Sequence, residues 1–245
     1  MRRAVLLSLA GVAAGLLAPP AARAQSDEND GFSAPRTATV DARGARAVEI
    51  EAHAGMLRVV GVPGLAEVRV RGTARAGRRD RLAGIRLDAR REGDAVVVRA
   101  DLPDQDWRGW SGRDDWRLLD LVVEVPRGLA ARIEDGSGSV EVRGVGALTL
   151  HDGSGGVEVD DVASADIEDG SGSLRVRDVR GDLRVRDGSG SVEAERVGGT
   201  FTVERDGSGS IDAREVAGDF VVERDGSGGI DHDGVRGRVT IPRRR

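Results

Sequence analysis

At 245 residues, with a formal charge of −5 and no cysteine, the chain is long enough for one elongated domain and has no disulfide framework to hold it. The acidic balance argues against nucleic acid as a partner, and it deepens to −8 once a leader carrying Arg2, Arg3 and Arg23 is removed. Lysine is absent, which excludes a P-loop, and His53, His151 and His232 are scattered with no metal-ligand spacing.

In chain order, residues 1–24 read as a secretory signal. Arg2 and Arg3 form its basic start, Ala4–Ala18 its apolar run, and Ala22-Arg23-Ala24 an A-x-A cleavage site before Gln25. The apolar run is short for a membrane span, so no transmembrane segment is expected after cleavage at Ala24, and the destination is the periplasm or the outside. Residues 25–39 are polar and acidic with Gly and Pro, and predict a flexible leader. Residues 40–134 read as irregular β coils. His53–Val59 is a degenerate copy of a later repeat, Val62 and Val68-Arg69-Val70 complete that coil, and Arg78–Arg81 is a charged turn. Ile85–Ala89 and Ala95–Ala100 are strands around Glu92-Gly93-Asp94, and Leu118–Val125 is the longest apolar strand. Between them, residues 101–117 interrupt the pattern with all three tryptophans, Trp107, Trp110 and Trp116.

Residues 135–245 carry a repeat, Asp-Gly-Ser-Gly-Ser/Gly followed by apolar-x-apolar. It starts at Asp135, Asp152, Asp169, Asp187, Asp206 and Asp225, with spacings of 17, 17, 18, 19 and 19. Such a period means stacked units, none of which buries its own apolar face alone. The fifth and seventh residues past each Asp alternate with polar ones, as in Val140/Val142 and Val157/Val159, which is the mark of a half-buried strand. The tenth is valine throughout: Val145, Val162, Val179, Val197, Val216 and Val235. Most units close with a second run such as Leu183/Val185 or Phe201/Val203. Gly-Ser-Gly is a poor helix interior, so the expected fold is an all-β solenoid of 17–19-residue coils. Six coils at one strand spacing each make a rod of roughly 29 Å. Two columns favour in-register stacking. Position 8 alternates in sign (Arg143, Asp160, Arg177, Glu195, Arg214, Asp233), and Phe201 and Phe220 appear where position 7 shrinks to Ala194 and Ala213. At the far end, Ile241-Pro242 and Arg243–Arg245 read as a guard against edge pairing.

These Gly-Ser-Gly-Ser-apolar-x-apolar units, entered through Leu121-Val122-Val123-Glu124-Val125-Pro126, resemble the bacterial "putative adhesin" β-strand-repeat family, whose function is unknown. The resemblance covers roughly Val48–Ile241. It implies a right-handed, single-stranded β-solenoid (β-helix) at the cell envelope, and carries over no catalytic residues.

Two features carry candidate chemistry. The column Asp135, Asp152, Asp169, Asp187, Asp206, Asp225 would repel itself unless bonded or neutralised. Asx-turn capping is the expected role, calcium bridging the alternative, and Arg186, Arg205 and Arg224 stand beside three members to offset charge. The Trp107/Trp110/Trp116 segment would either stack on a glycan or an envelope-protein partner, or cap an open flank of the core. No repeat Ser has Gly at both −2 and +2, so no nucleophile elbow is present, and no acid–base constellation stands out. The reading is a non-enzymatic, exported envelope module for binding or scaffolding. The alternatives are a polysaccharide-active β-helix enzyme and a purely structural spacer.

Overall fold

The computed structural model describes residues 25–27, 31–102 and 115–242. The repeats form two sheets of parallel strands. One holds the strands that follow each Gly-Ser-Gly: Gly138–Arg143, Gly155–Val162, Gly172–Val179, Gly190–Val197, Gly209–Val216 and Ile230–Asp233. The other holds the strands that close each unit, from Ala130–Asp135 through Ala147–Asp152, Ser164–Asp169, Leu183–Asp187 and Phe201–Asp206 to Phe220–Val222 and Val239–Thr240. Like pairs with like at every step: Val140, Val157, Leu174, Val192, Ile211 and Ile230 are successive Cα partners. The chain is a β-solenoid.

Side chains that alternate along each strand meet in the interior as files. Val145, Val162, Val179, Val197 and Val216 are 0–1 % exposed, while Val235, in the last coil, is half-buried. Phe201 and Phe220 stack at 5.2 Å with their planes 20° apart, and Ala194 and Ala213 are buried in the same coils. Where the spacing reaches 19, the extra residue Glu204 is absorbed as a register shift between Val185 and Arg186.

The position-8 column pairs only in part. Arg143 bonds Asp160 and Arg177 reaches Glu195 at 3.7 Å, but Arg177 also takes Glu158 at 3.2 Å, and Arg214 turns to Asp212 within its own strand. A residue two places along the same strand presents its charge on the same face, so it competes with the neighbouring coil.

The N-terminal part is built differently from the coils expected. Its elements are β1 (Gln25–Asp27), β2 (Gly31–Asp41), β3 (Ala47–Glu51), β4 (Leu57–Val62), β5 (Glu67–Ala76), α1 (Arg79–Gly84), β6 (Arg86–Glu92), β7 (Ala95–Asp101) and β8 (Arg117–Pro126). Strands β3 and β4 make a true coil, but its place in space is not its place in sequence. β4 lies between β8 and Gly138–Arg143, with Leu57 paired to both Leu121 and Val140, and β3 lies between β7 and Ala130–Asp135. The chain leaves the coil, builds the hairpin β6–β7 and strand β8 beyond it, then crosses back over it.

Three expectations need correction here. Residues 31–39 of the expected flexible leader, together with Val40 and Asp41, are a strand paired antiparallel with β5. Their polar residues are the solvent half of an alternating strand whose Ala34, Ala38 and Val40 pack on the core. Val68-Arg69-Val70 does not close a coil but lies in β5, antiparallel to β2 and β8. Arg78–Arg81 begins helix α1, held to β2 by Arg36, whose guanidinium donates to Ile85 O at 2.9 Å and Leu82 O at 3.1 Å. The antiparallel strands turn the N-terminal end of the rod away from further parallel pairing.

The second glycine of each Gly-Ser-Gly is fixed by the stacking. Gly138, Gly155, Gly172, Gly190, Gly209 and Gly228 have φ from 134° to 144°, and a Cβ on Gly172 would lie 1.6 Å from the Gly155 carbonyl oxygen. Gly172→Ala should therefore cost roughly 3 kcal/mol, read as a lowered urea midpoint, whereas Ser173→Ala on the exposed neighbour should change little.

Candidate functional site

The repeat's Asp column is not a row of exposed turn caps. Asp135, Asp152, Asp169 and Asp187 each end the strand that closes a coil and keep that strand's alternation, so Asp135 lies on the same inward face as Ile133, and Asp169 on that of Ile167; Asp206 returns to this face after the Glu204 shift. Asp135, Asp152, Asp169, Asp187 and Asp206 are only 2–8 % exposed, and they follow one another as in-register partners. Asp225, in the last coil, is half-buried. Among the five buried members an Asx-turn is seen at Asp169, whose Oδ1 accepts from Ser171 N at 3.1 Å. Both side-chain oxygens of Asp135, Asp152, Asp187 and Asp206 lack a hydrogen-bond partner.

Two of the three arginines expected to neutralise this file turn elsewhere, and Arg205 lines the groove beside it. Arg186 bonds Glu204 at 2.7 Å and Asp166 at 3.2 Å, and the Arg224 side chain donates to Glu204 O at 3.4 Å. A groove of about 740 Å³ runs along the file, lined by Asp135, Asp152, Asp169 and Asp187 and rimmed by Glu134, His151, Glu168, Arg186 and Arg205. His151 and Glu168 face each other there at 3.4 Å.

Carboxylates buried side by side disfavour one another's ionised form. Desolvation, then the neighbouring Asp residues, pushes Asp152 and Asp169 up to about 6 and Asp187 up to about 7; desolvation also raises Asp135 and Asp206. Two carboxyls stacked in this way can bond each other only if one carries a proton, as Asp135 can with Asp152 and Asp187 with Asp206. The file is thus an internal ladder of carboxyls with raised proton affinity. Calcium fits poorly, because it takes six to eight oxygens and each gap between coils offers two carboxylates sealed from water. Among the described residues, no group of three or more His, Asp or Glu side chains is arranged to hold a metal.

Of the tryptophans, Trp107 and Trp110 lie outside the described residues. Trp116 is half-buried: its carbonyl accepts from Gly77 N at 3.1 Å, and its ring lies so close over Gly31 that a side chain there would touch it. It belongs to the flank where β2 meets β5.

A second groove, of about 970 Å³, follows the corner after the first strand of successive coils. Its rim carries Arg127, Asp161, Asp178, Arg180, Arg196, Glu215 and Arg236 over a floor of Val179, Val197, Gly198 and Ala217. Arg127 and Arg180 both bind Asp161, and Arg196 holds Asp178 with two bonds of 2.7 and 3.0 Å, which keeps Asp178 below the usual carboxylate range. Sequence reasoning passed over this column. Its signal was glycine at Gly144 and Gly234 with charged residues at the equivalent place between them.

No protein-family model matches the chain. No curated protein sequence matches it. Solved structures similar to it include a "putative cell adhesion protein" from Clostridium sporogenes (11 % identity, TM-score 0.35, covering 84 % of this chain and 98 % of that one). A "putative adhesin" from Parabacteroides merdae has 10 % identity and a TM-score of 0.38, covering 85 % and 96 %. A "putative lipid binding protein" from Parabacteroides distasonis has 12 % identity and a TM-score of 0.30, covering 85 % and 97 %. At these scores the likenesses carry no argument about what the chain binds.

Between pH 4 and 7 the folded ladder holds protons that the unfolded chain has released. Its stabilising contribution is therefore complete below about pH 4 and is lost as pH rises through about 6 to 7. The Arg-paired carboxylates act oppositely: Asp41, held at about 2 by Arg43, contributes above pH 4 and loses its share as pH falls towards 2. The melting temperature should thus be higher at pH 5 than at pH 8, and Asp187→Asn should flatten that slope. Millimolar calcium at pH 7 should leave the melting temperature unchanged; a clear rise would restore the metal reading.

Proposed function

We propose that this chain is a non-enzymatic, exported envelope module whose stiff β rod presents a polar outer surface to a partner. The supporting observation is the disposition of its ionisable groups. The carboxyls with raised proton affinity lie beneath the groove of about 740 Å³ with their oxygens turned away from solvent, and the groove of about 970 Å³ is lined largely by ion-paired side chains. General acid catalysis needs a shifted carboxyl oxygen within reach of the bond it protonates, and the oxygens of this file are buried. Corners in the regular coils are a few residues long, so no loops gather over a sheet as they do in an active-site cleft.

Export is read from residues 1–24, with cleavage after Ala24 placing the module in the periplasm or outside the cell. Among the described residues no helix is long and apolar enough to cross a membrane. Trp107 and Trp110 supply aromatic contacts for the partner, a glycan or an envelope protein.

The reading is tested on the mature chain with an array of envelope glycans, a pull-down from envelope extract and a hydrolysis screen on the retained glycans. Retention without released sugars is expected; released sugars would favour the enzyme. Trp107→Ala with Trp110→Ala should lower retention and leave the melting temperature unchanged. A fallen melting temperature with unchanged retention would place both rings in the core.

A further inference from the structure

Nine residues past each repeat Asp, every coil has a residue in the left-handed region: Gly144, Asp161, Asp178, Arg196, Glu215 and Gly234, with φ between 54° and 73°. Glycine occupies the first and last places at no steric cost. The four between carry charged side chains, and arginine and glutamate have no local bond that favours this conformation. The backbone turn alone would be served equally well by glycine at all six coils, so the turn itself does not call for the charges. The same four residues line the 970 Å³ groove.

The groove's composition narrows what fits. Four arginines, Arg127, Arg180, Arg196 and Arg236, outnumber the three carboxylates Asp161, Asp178 and Glu215, although the chain as a whole is acidic. The carboxylates Asp161 and Asp178 orient three of those arginines through the ion pairs described above. The rim recurs coil after coil, so the groove runs along the rod and suits an extended, repeating ligand over a compact one. The floor, of valine, glycine and alanine, leaves room for a chain to lie close to the backbone.

We propose that this groove binds a linear carboxylated polysaccharide, its carboxylates paired with Arg127, Arg180, Arg196 and Arg236 and its hydroxyls donating to Glu215. Guanidinium groups take carboxylates in two-bond geometry, and a repeating polymer meets a repeating rim with several such pairs at once. The inference deepens the binding-module reading and rests on it.

The test uses the mature chain with polygalacturonate as the acidic probe and dextran as the neutral one, in affinity electrophoresis at low and at 0.5 M salt. Polygalacturonate should retard the protein at low salt, salt should release it, and dextran should have no effect. Arg196→Gly and, outside the left-handed column, Arg236→Gln should each weaken retardation at least tenfold. Glu215→Gly should raise the melting temperature by about 2–4 °C, because it relieves the backbone and breaks no ion pair of the kind Arg196 makes. Failure of polygalacturonate to bind overturns the proposal, and so does retardation unchanged in Arg236→Gln. A lowered melting temperature in Glu215→Gly shows that the charged column serves the fold, and also overturns it. If neutral glycans or envelope proteins are still retained while polygalacturonate is not, the binding-module reading stands and only this ligand class falls.

Discussion

Everything in this molecule follows from one constraint: successive coils hydrogen-bond to one another in register. One coil adds one strand spacing, ~4.8 Å, so every residue type lies directly on its own repeat equivalent. For valine this is favourable, and the file from Val145 to Val216 is sealed from water as a result. For the second glycine of the repeat it is obligatory, because the neighbouring carbonyl occupies the space of a side chain. For a charge it is a penalty that has to be met locally.

The two sides of the sheets meet that penalty by different means. Outside, arginines from adjacent coils reach the carboxylates: Arg175 bonds Glu193 at 2.8 Å and lowers its proton affinity, and Arg196 does the same for Asp178. Such pairs sit in water and contribute little each, but they allow charged residues to stack without repulsion. Inside, a guanidinium is too large and too well hydrated to follow the Asp file into a core of valine and isoleucine. The proton is the one cation that needs no volume. The same residue type, repeated at the same spacing, is therefore held below the usual carboxylate range on one face and pushed above it on the other.

Much of this was written in the sequence. The period, the invariant valine and the exchange of Ala194 and Ala213 against Phe201 and Phe220 are side-chain volumes repeating at a fixed interval, and they survive any local adjustment of the backbone. The orientation of the Asp column was also there, since Ile133 and Asp135 share a parity, but turn chemistry is the stronger habit of an Asp before Gly-Ser-Gly and it masked the alternation. The charged left-handed corner was legible only by setting Gly144 and Gly234 beside Arg196 and Glu215. What composition could not reveal was the path of the first hundred residues. A polar strand such as Gly31–Asp41 looks like a leader until β5 is known to lie beside it. Nor does any local pattern tell β3 and β4 to sit between strands that come later in the chain.

The register itself is open to a direct chemical measurement, helped by the absence of native cysteine. Glu158 and Arg175 are outward-facing Cα partners on adjacent coils, while Glu158 and Glu193 are two coils apart. One strand spacing falls inside the ~4.4–6.8 Å Cα separation a disulfide spans, and two do not. Oxidation of the folded E158C/R175C variant should form an intramolecular disulfide in high yield, and that of E158C/E193C should not. Equal yields from the two variants, or a cross-link only in the second, would contradict the stacked register on which the core, the buried carboxyls and the groove all depend.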